Sequence, residues 1–118
     1  MIKTKRTSKK HEKDDGFRVL VERAWPRGLS KTDGSVDLWL PDLAPSDVLR
    51  KWFSHDPRKW DTFRARYETE LAEKEELVEQ LKKLEDEKGT ITLLYSSKNE
   101  EFNDAVVLKN ILFEVYQL

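Results

Sequence analysis

The sequence predicts an α/β domain: a mostly parallel sheet of three or four strands, packed with helices in Rossmann-like layers. Three observations carry this expectation. Phe17–Glu22 and Thr90–Tyr95 are two apolar, β-branched stretches of strand length. Between them, apolar residues recur at helical spacing from Val48 to Leu84. The chain then closes on Ala105–Tyr116, an apolar stretch of helical length. Strands separated by helices pair in parallel through right-handed crossovers.

At 118 residues the chain makes one domain, 1–118, whose first 16 residues are a basic strand and loop. It contains no cysteine. Thiolate nucleophiles, Cys-ligated zinc and iron–sulfur clusters are therefore excluded, and with them sulfur transfer and cysteine-phosphatase chemistry. A cysteine-free chain suits a reducing cytoplasm, the expected location. Apolar runs are short and the N-terminus is basic, so neither a membrane span nor a secretory signal is expected. Net charge is −1, but it divides unevenly: residues 1–60 carry 14 Lys and Arg against 9 Asp and Glu, and residues 61–118 carry 8 against 14. Such asymmetry either steers an anionic partner to one face or marks the solvated side of a charged helix.

Taken in order, Ile2–Ser8 fits a short strand, followed by a basic loop through Lys9, Lys10, His11 and Lys13. It reads either as a phosphate-binding arm for nucleic acid or as an edge strand kept soluble by lysines. No aromatic residue is interleaved to stack on bases, which favours the second. Asp14-Asp15-Gly16 turns the chain into the strand at Phe17. There Phe17, Val19 and Val21 face one way and Arg18, Leu20 and Glu22 the other. Pro26 and Gly28 end it, because proline lacks the ladder donor and glycine marks a reversal. Val36, Leu38 and Leu40 alternate with polar residues or Trp39, as in a short irregular strand.

Ser46 caps a short helix through Phe53, with Asp47 at its positive end. Asp56-Pro57 restarts helix, since proline at the first position loses no needed donor. Trp60, Phe63, Tyr67 and Leu71 share one face, and Leu77, Val78, Leu81 and Leu84 continue nearly in phase. With no Gly or Pro between, 57–88 is one long helix or two joined near Glu73; ordinary helix lengths favour two. Gly89 ends it. After the strand at 90–95, Asn103 or Asp104 caps the last helix, whose polar stripe is only Lys109, Asn110, Glu114 and Gln117. So apolar a helix needs cover from the sheet and from another helix or a second subunit, making a homodimer through this helix one expectation.

In open α/β sheets ligands bind beyond the carboxyl ends of strands. Parallel pairing brings the ends of the two main strands to one edge, with the N-terminus of the last helix aimed at the same space. Arg23, Trp25, Arg27 and Gly28 from the first strand, with Ser96, Ser97, Lys98 and Asn103 from the second, are the candidate ligand-binding set. Cations, loop donors and a positive helix end describe a pocket for a small anion or a phosphate-bearing ligand. The competing account pairs either arginine with Glu22 or Asp56. His55 is the candidate general base, or else a helix-junction residue bonded beside Asp56. No Gly-rich phosphate loop, nucleophile elbow or paired-histidine motif accompanies it, so no metal and no cofactor are implied. A nucleic-acid-binding accessory or regulatory role for the basic half is the alternative function.

Three blocks also resemble a known family. Arg18–Arg23 with Trp25-Pro26-Arg27-Gly28 is the first; Lys51-Trp52-Phe53 with His55-Asp56-Pro57 and Trp60 is the second. Leu93–Ser96 with Lys98, Asn103, Ala105 and Leu108 is the third. In that spacing they are similar to the YeaO-like proteins, a family of small prokaryotic proteins of unknown function. The resemblance implies a compact α/β fold and no established activity. Family members often carry histidines on either side of the third block's asparagine; here those positions are Phe102 and Asp104.

Overall fold

The computed structural model describes residues 1–116. Four strands, β1 (Ile2–Arg6), β2 (Phe17–Leu20), β3 (Leu38–Trp39) and β4 (Ile91–Tyr95), form one sheet in the order β1-β4-β2-β3. Every pairing is parallel. Ile91 lies opposite both Ile2 and Phe17, so β4 is flanked on both edges, and all five of its residues are buried. That accounts for its nearly continuous apolar sequence. Entry to β2 depends on Gly16, at φ +65°, where a Cβ would fall 2.3 Å from the Thr90 carbonyl oxygen. No side chain fits there.

Four helices follow the cap signals. Helix α1 (Asp47–Phe53) begins at Ser46, whose Oγ accepts from the Leu49 N–H at 3.2 Å. The Asp56 carboxylate caps a 3-10 turn at Pro57–Lys59, which leads into α2 (Trp60–Ala72). A separate helix, α3, spans Glu75–Lys88. The break between α2 and α3 falls at Glu73-Lys74. There the Lys74 N–H bonds back to Leu71, and its Nζ donates to the carbonyls of Asp42 and Ala44 at 2.5 and 3.4 Å. The joint is thus held by the 3-10 turn at Pro41–Leu43 and not by a helix breaker. Helix α4 (Asp104–Tyr116) starts from Asn103, whose Oδ1 accepts from the Val106 N–H.

Val19, Val21, Ile91, Leu93 and Tyr95 pack with residues of all four helices in one core. Leu20 and Leu94 are equally buried but lie on the opposite face, under irregular chain. On that second face the structure departs from a simple reading of the strand. Arg18 is 1% exposed, its Nη1 paired with Asp15 and its Nε donating to the Ser35 carbonyl at 2.5 Å. Lys5 reaches Asp15 from β1 at 3.0 Å. Burial pushes the Asp15 carboxyl up, but the Glu12 N–H and the Lys5 and Arg18 donors outweigh it, so its pKa lies below the ordinary value.

The last helix finds its cover within the chain. It packs on β1, β4, α2 and α3, with Ala105, Val107, Leu108 and Leu112 buried, and leaves Phe113 62% exposed. No second subunit is needed to explain its composition. Gln117 lies outside the described residues. No described helix is long and apolar enough to cross a membrane.

Candidate functional site

The parallel register of β2 and β4 brings their carboxyl ends together, and a cleft of about 510 Å³ opens there. Its walls come from the segment after β2, from α1 and the turn that follows it, and from the loop leading into α4. Six of the residues expected at a site line it: Arg23, Trp25, His55, Ser96, Ser97 and Asn103. Arg27, Gly28 and Lys98 do not. The chain turns back at Pro26–Leu29, where the Leu29 N–H bonds to the Pro26 carbonyl and Gly28 takes φ +84°. That turn carries Arg27 away from the cleft, and Lys98 is exposed on the next loop.

The expectation for the serine loop needs correction. The Ser96 N–H and Oγ both donate to Glu22 Oε1, at 2.7 and 3.1 Å. An anion does occupy those donors, but it is the chain's own carboxylate, projecting from the end of β2. Ser97 Oγ accepts from the Asn99 N–H. Asn103, 3% exposed, is committed on both ends, to the Asn99 carbonyl and as cap of α4. Ser96 and Asn103 therefore spend their donors on building the cleft, whereas the Ser97 hydroxyl only accepts.

Neither structural pairing foreseen for the arginines occurs among the described residues. Asp56 is held bidentately by Arg58 at 3.1 Å from both donors, and Glu22 by Ser96. Arg23 instead makes a single 3.4 Å hydrogen bond, from Nη2 to the Ala44 carbonyl. Arg50 of α1 also lines the cleft, 3.5 Å from Asp47 in a largely exposed pair.

Two further acids shape the electrostatics. Asp104 lines the cleft at the start of α4, and burial together with the charge of Glu22 pushes its carboxyl well above the ordinary range, against a bond from the Ala105 N–H. Beneath it Tyr67 is fully buried, donating to the Leu43 carbonyl at 2.5 Å. Burial, then Asp104 and Glu22, raises its pKa in turn, so the phenol stays a donor. From the sequence, position 104 stands out as an alternative cap of the last helix and as a departure from a family pattern. Its closeness to Glu22 depends on β2 and β4 being neighbours, which no local signal states.

His55 projects from the turn after α1, and both Ser54 (φ +47°) and His55 (φ +58°) take left-handed backbone. Two consecutive non-glycine residues in that region cost of order 1–3 kcal/mol each. The strain sets His55 on the cleft wall, its ring 6.3 Å from that of Phe53.

Among the described residues, three of the six lysines and arginines in the N-terminal segment are ion-paired. Lys3 sits 3.6 Å from Asp14, Lys5 bridges Glu12 and Asp15, and Lys9 faces Glu100 at 3.8 Å.

With this architecture and cleft in place, comparison with known proteins is direct. The chain belongs to the family described as the inactive DUF488-N3 subclade, which it matches over residues 1–117. It is 42% identical over 111 residues to the uncharacterized protein YeaO of Escherichia coli (strain K12), covering 94% of this chain and 96% of that protein. It is 40% identical over 99 residues to an uncharacterized protein of Mycobacterium tuberculosis (strain H37Rv), covering 84% and 82%. No solved structure matches it.

Proposed function

We propose that this member of the inactive DUF488-N3 subclade binds a small ligand through a phosphate or carboxylate group, in the cleft at the carboxyl ends of β2 and β4. Arg23 is the principal contact and Arg50 lies beside it. One observation carries this reading. Three carboxylates line the cleft, yet Arg23 pairs with none of them and keeps only the long bond to Ala44. A guanidinium presents five donors in a fixed fork suited to a planar oxyanion. Arg23 stands exposed on the cleft wall with nearly all of those donors unpaired, which fits a group open to a partner. The description of the family as inactive, and the self-satisfied state of Ser96 and Asn103, favour binding over turnover. His55 enters as part of the wall.

A thermal-shift titration with phosphate, sulfate and nucleoside monophosphates tests this on the wild type, Arg23→Ala and Arg50→Ala. Ligand at a hundred times its dissociation constant stabilises by about 2.7 kcal/mol, several degrees for a chain of this size. Arg23→Ala should abolish the shift and Arg50→Ala reduce it. A wild type that no anion stabilises would end the proposal.

A further inference from the structure

We infer that the ligand of this cleft carries a flat aromatic ring beside its anionic group, the ring lying against the partly exposed Trp25 and Phe102, while Phe53 and Phe63 are buried in the adjoining core. The inference rests on the reading above and names the class of ligand. Its first support is size. A cleft of about 510 Å³ has room for roughly seventeen waters at ~30 Å³ each, and a bare oxyanion of five heavy atoms fills only a small part of it. The anionic group at Arg23 is therefore one end of something larger.

The second support is the chemistry of the remaining wall. Four of the residues lining the cleft are aromatic, and each is fixed before any ligand arrives. The Trp25 indole N–H donates to the Leu29 carbonyl at 2.8 Å, and the ring stands edge-on to Trp39, 5.5 Å between centroids at 84°. Trp39 is itself tied to the Glu22 carbonyl at 2.7 Å, which links this aromatic pair to the strand bearing the Ser96 clamp. Phe53 and Phe63 stack at 4.2 Å, and Phe102 rests 5.1 Å from Trp60. Trp25 is half-buried yet lies outside the central hydrophobic core. Packed on Trp39 instead of in that core, it is held at the cleft wall. Pre-set rings accept a planar π-system without paying to order flexible side chains.

Third, the guanidinium of Arg23 and the ring of Trp25 are two residues apart on either side of Ala24, and both line the cleft. A ligand that carries both an anionic group and a ring can meet both; an aliphatic phosphate leaves the aromatic wall unused.

Calorimetric titration of the full-length protein separates the cases. The probes are inorganic phosphate, glycerol 1-phosphate, phenyl phosphate, benzoate and a nucleoside monophosphate, the last three distinguishing a simple aromatic phosphate, an aromatic acid and a nucleotide as the natural source. Expected is at least tenfold tighter binding of a ring-bearing anion than of either ringless phosphate, with the advantage lost in Trp25→Leu and retained in Trp25→Phe. Circular dichroism checks that both variants fold, and Phe102→Leu supplies an independent reduction should Trp25→Leu not fold. Equal affinity for phosphate with and without a ring, or an advantage unchanged by both Trp25→Leu and Phe102→Leu, overturns the inference while leaving the anion site standing. Failure of every probe to bind removes both.

Discussion

Removing the Asp15 carboxylate is the sharpest test of how the second face of the sheet is held. Arg18 is 1% exposed, and its charge is balanced by Asp15, itself 4% exposed and also contacted by Lys5 at 3.0 Å. Asp15→Asn keeps the shape but turns an acceptor into an amide that must present N–H to either a guanidinium or an ammonium. Breaking a buried pair from one side costs about 3–5 kcal/mol, because the surviving charge is left uncompensated. A chain of this size has about 6–18 kcal/mol of stability in total, so the loss is severe but measurable. Urea unfolding followed by tryptophan fluorescence should show the midpoint falling by about 1–5 M, taking an m-value of about 1–3 kcal/mol/M. Adding Arg18→Met to Asp15→Asn should restore part of that loss, since the orphan charge is gone and only the Ser35 carbonyl lacks its donor. The pH response has a definite sign. The folded pKa of Asp15 lies below the unfolded one, so its contribution is present above the unfolded value near 4 and disappears as pH falls through the folded value. Asp15→Asn should flatten that acid limb. An Asp15→Asn protein within 1 kcal/mol of wild type, or single effects that simply add in the double variant, would refute the reasoning.

Asp104 gives a pH response of opposite sign. Its folded pKa lies above the unfolded one, so its contribution is complete below the unfolded value and is lost as pH rises through the folded one. Asp104→Asn should therefore lose less stability than wild type between pH 4 and neutrality, and Glu22→Gln should lower the Asp104 pKa seen by carboxyl-carbon NMR; no movement would mean the two acids do not interact. His55→Gly exchanges left-handed strain of about 1–2 kcal/mol for a glycine entropy cost of about 0.5–1 kcal/mol, so the melting temperature should hold or rise slightly while ligand-induced stabilisation weakens. A clear loss of stability in His55→Gly would show that the ring packs as core.

Much of the architecture was legible in local chemistry. The caps at Ser46, Asp56 and Asn103 and the strand at 91–95 each follow from a few adjacent residues, and parallel pairing follows from the helices between strands. The helix joint near Glu73 is favoured only by ordinary helix length, since what holds it is the remote turn at Pro41–Leu43. Burial of Arg18 was not legible, because alternation assigns a mid-strand arginine a face but not what covers it. That cover comes from Asp15 in the preceding turn and from Ser35, which is not adjacent in the chain. Composition leaves open whether another helix or a second subunit joins the sheet in covering the apolar last helix; two strands and two helices of its own chain pack against it.

The site exposes a deeper limit of reading by residue type. Two serines at the end of a parallel strand look alike whether their donors await a ligand or already hold one of the chain's own carboxylates. Here Glu22, at the end of β2, takes the Ser96 N–H and Oγ. By satisfying these groups internally, the fold fixes the loop into α4 and places a negative charge beside Asp104. The same event removes Glu22 as a partner for Arg23, the very next residue, whose guanidinium is left with one long bond. Just past the end of β2 the two neighbours divide the labour: the carboxylate closes the loop, and the guanidinium beside it stays available. Glu22→Gln with Ser96→Ala should therefore loosen the loop without abolishing anion binding, whereas Arg23→Ala should abolish binding without loosening the loop. Hydrogen exchange at residues 96–103 and calorimetry on the same proteins read the two effects separately. If one substitution produced both effects, the division between a built-in clamp and a free cation would be wrong.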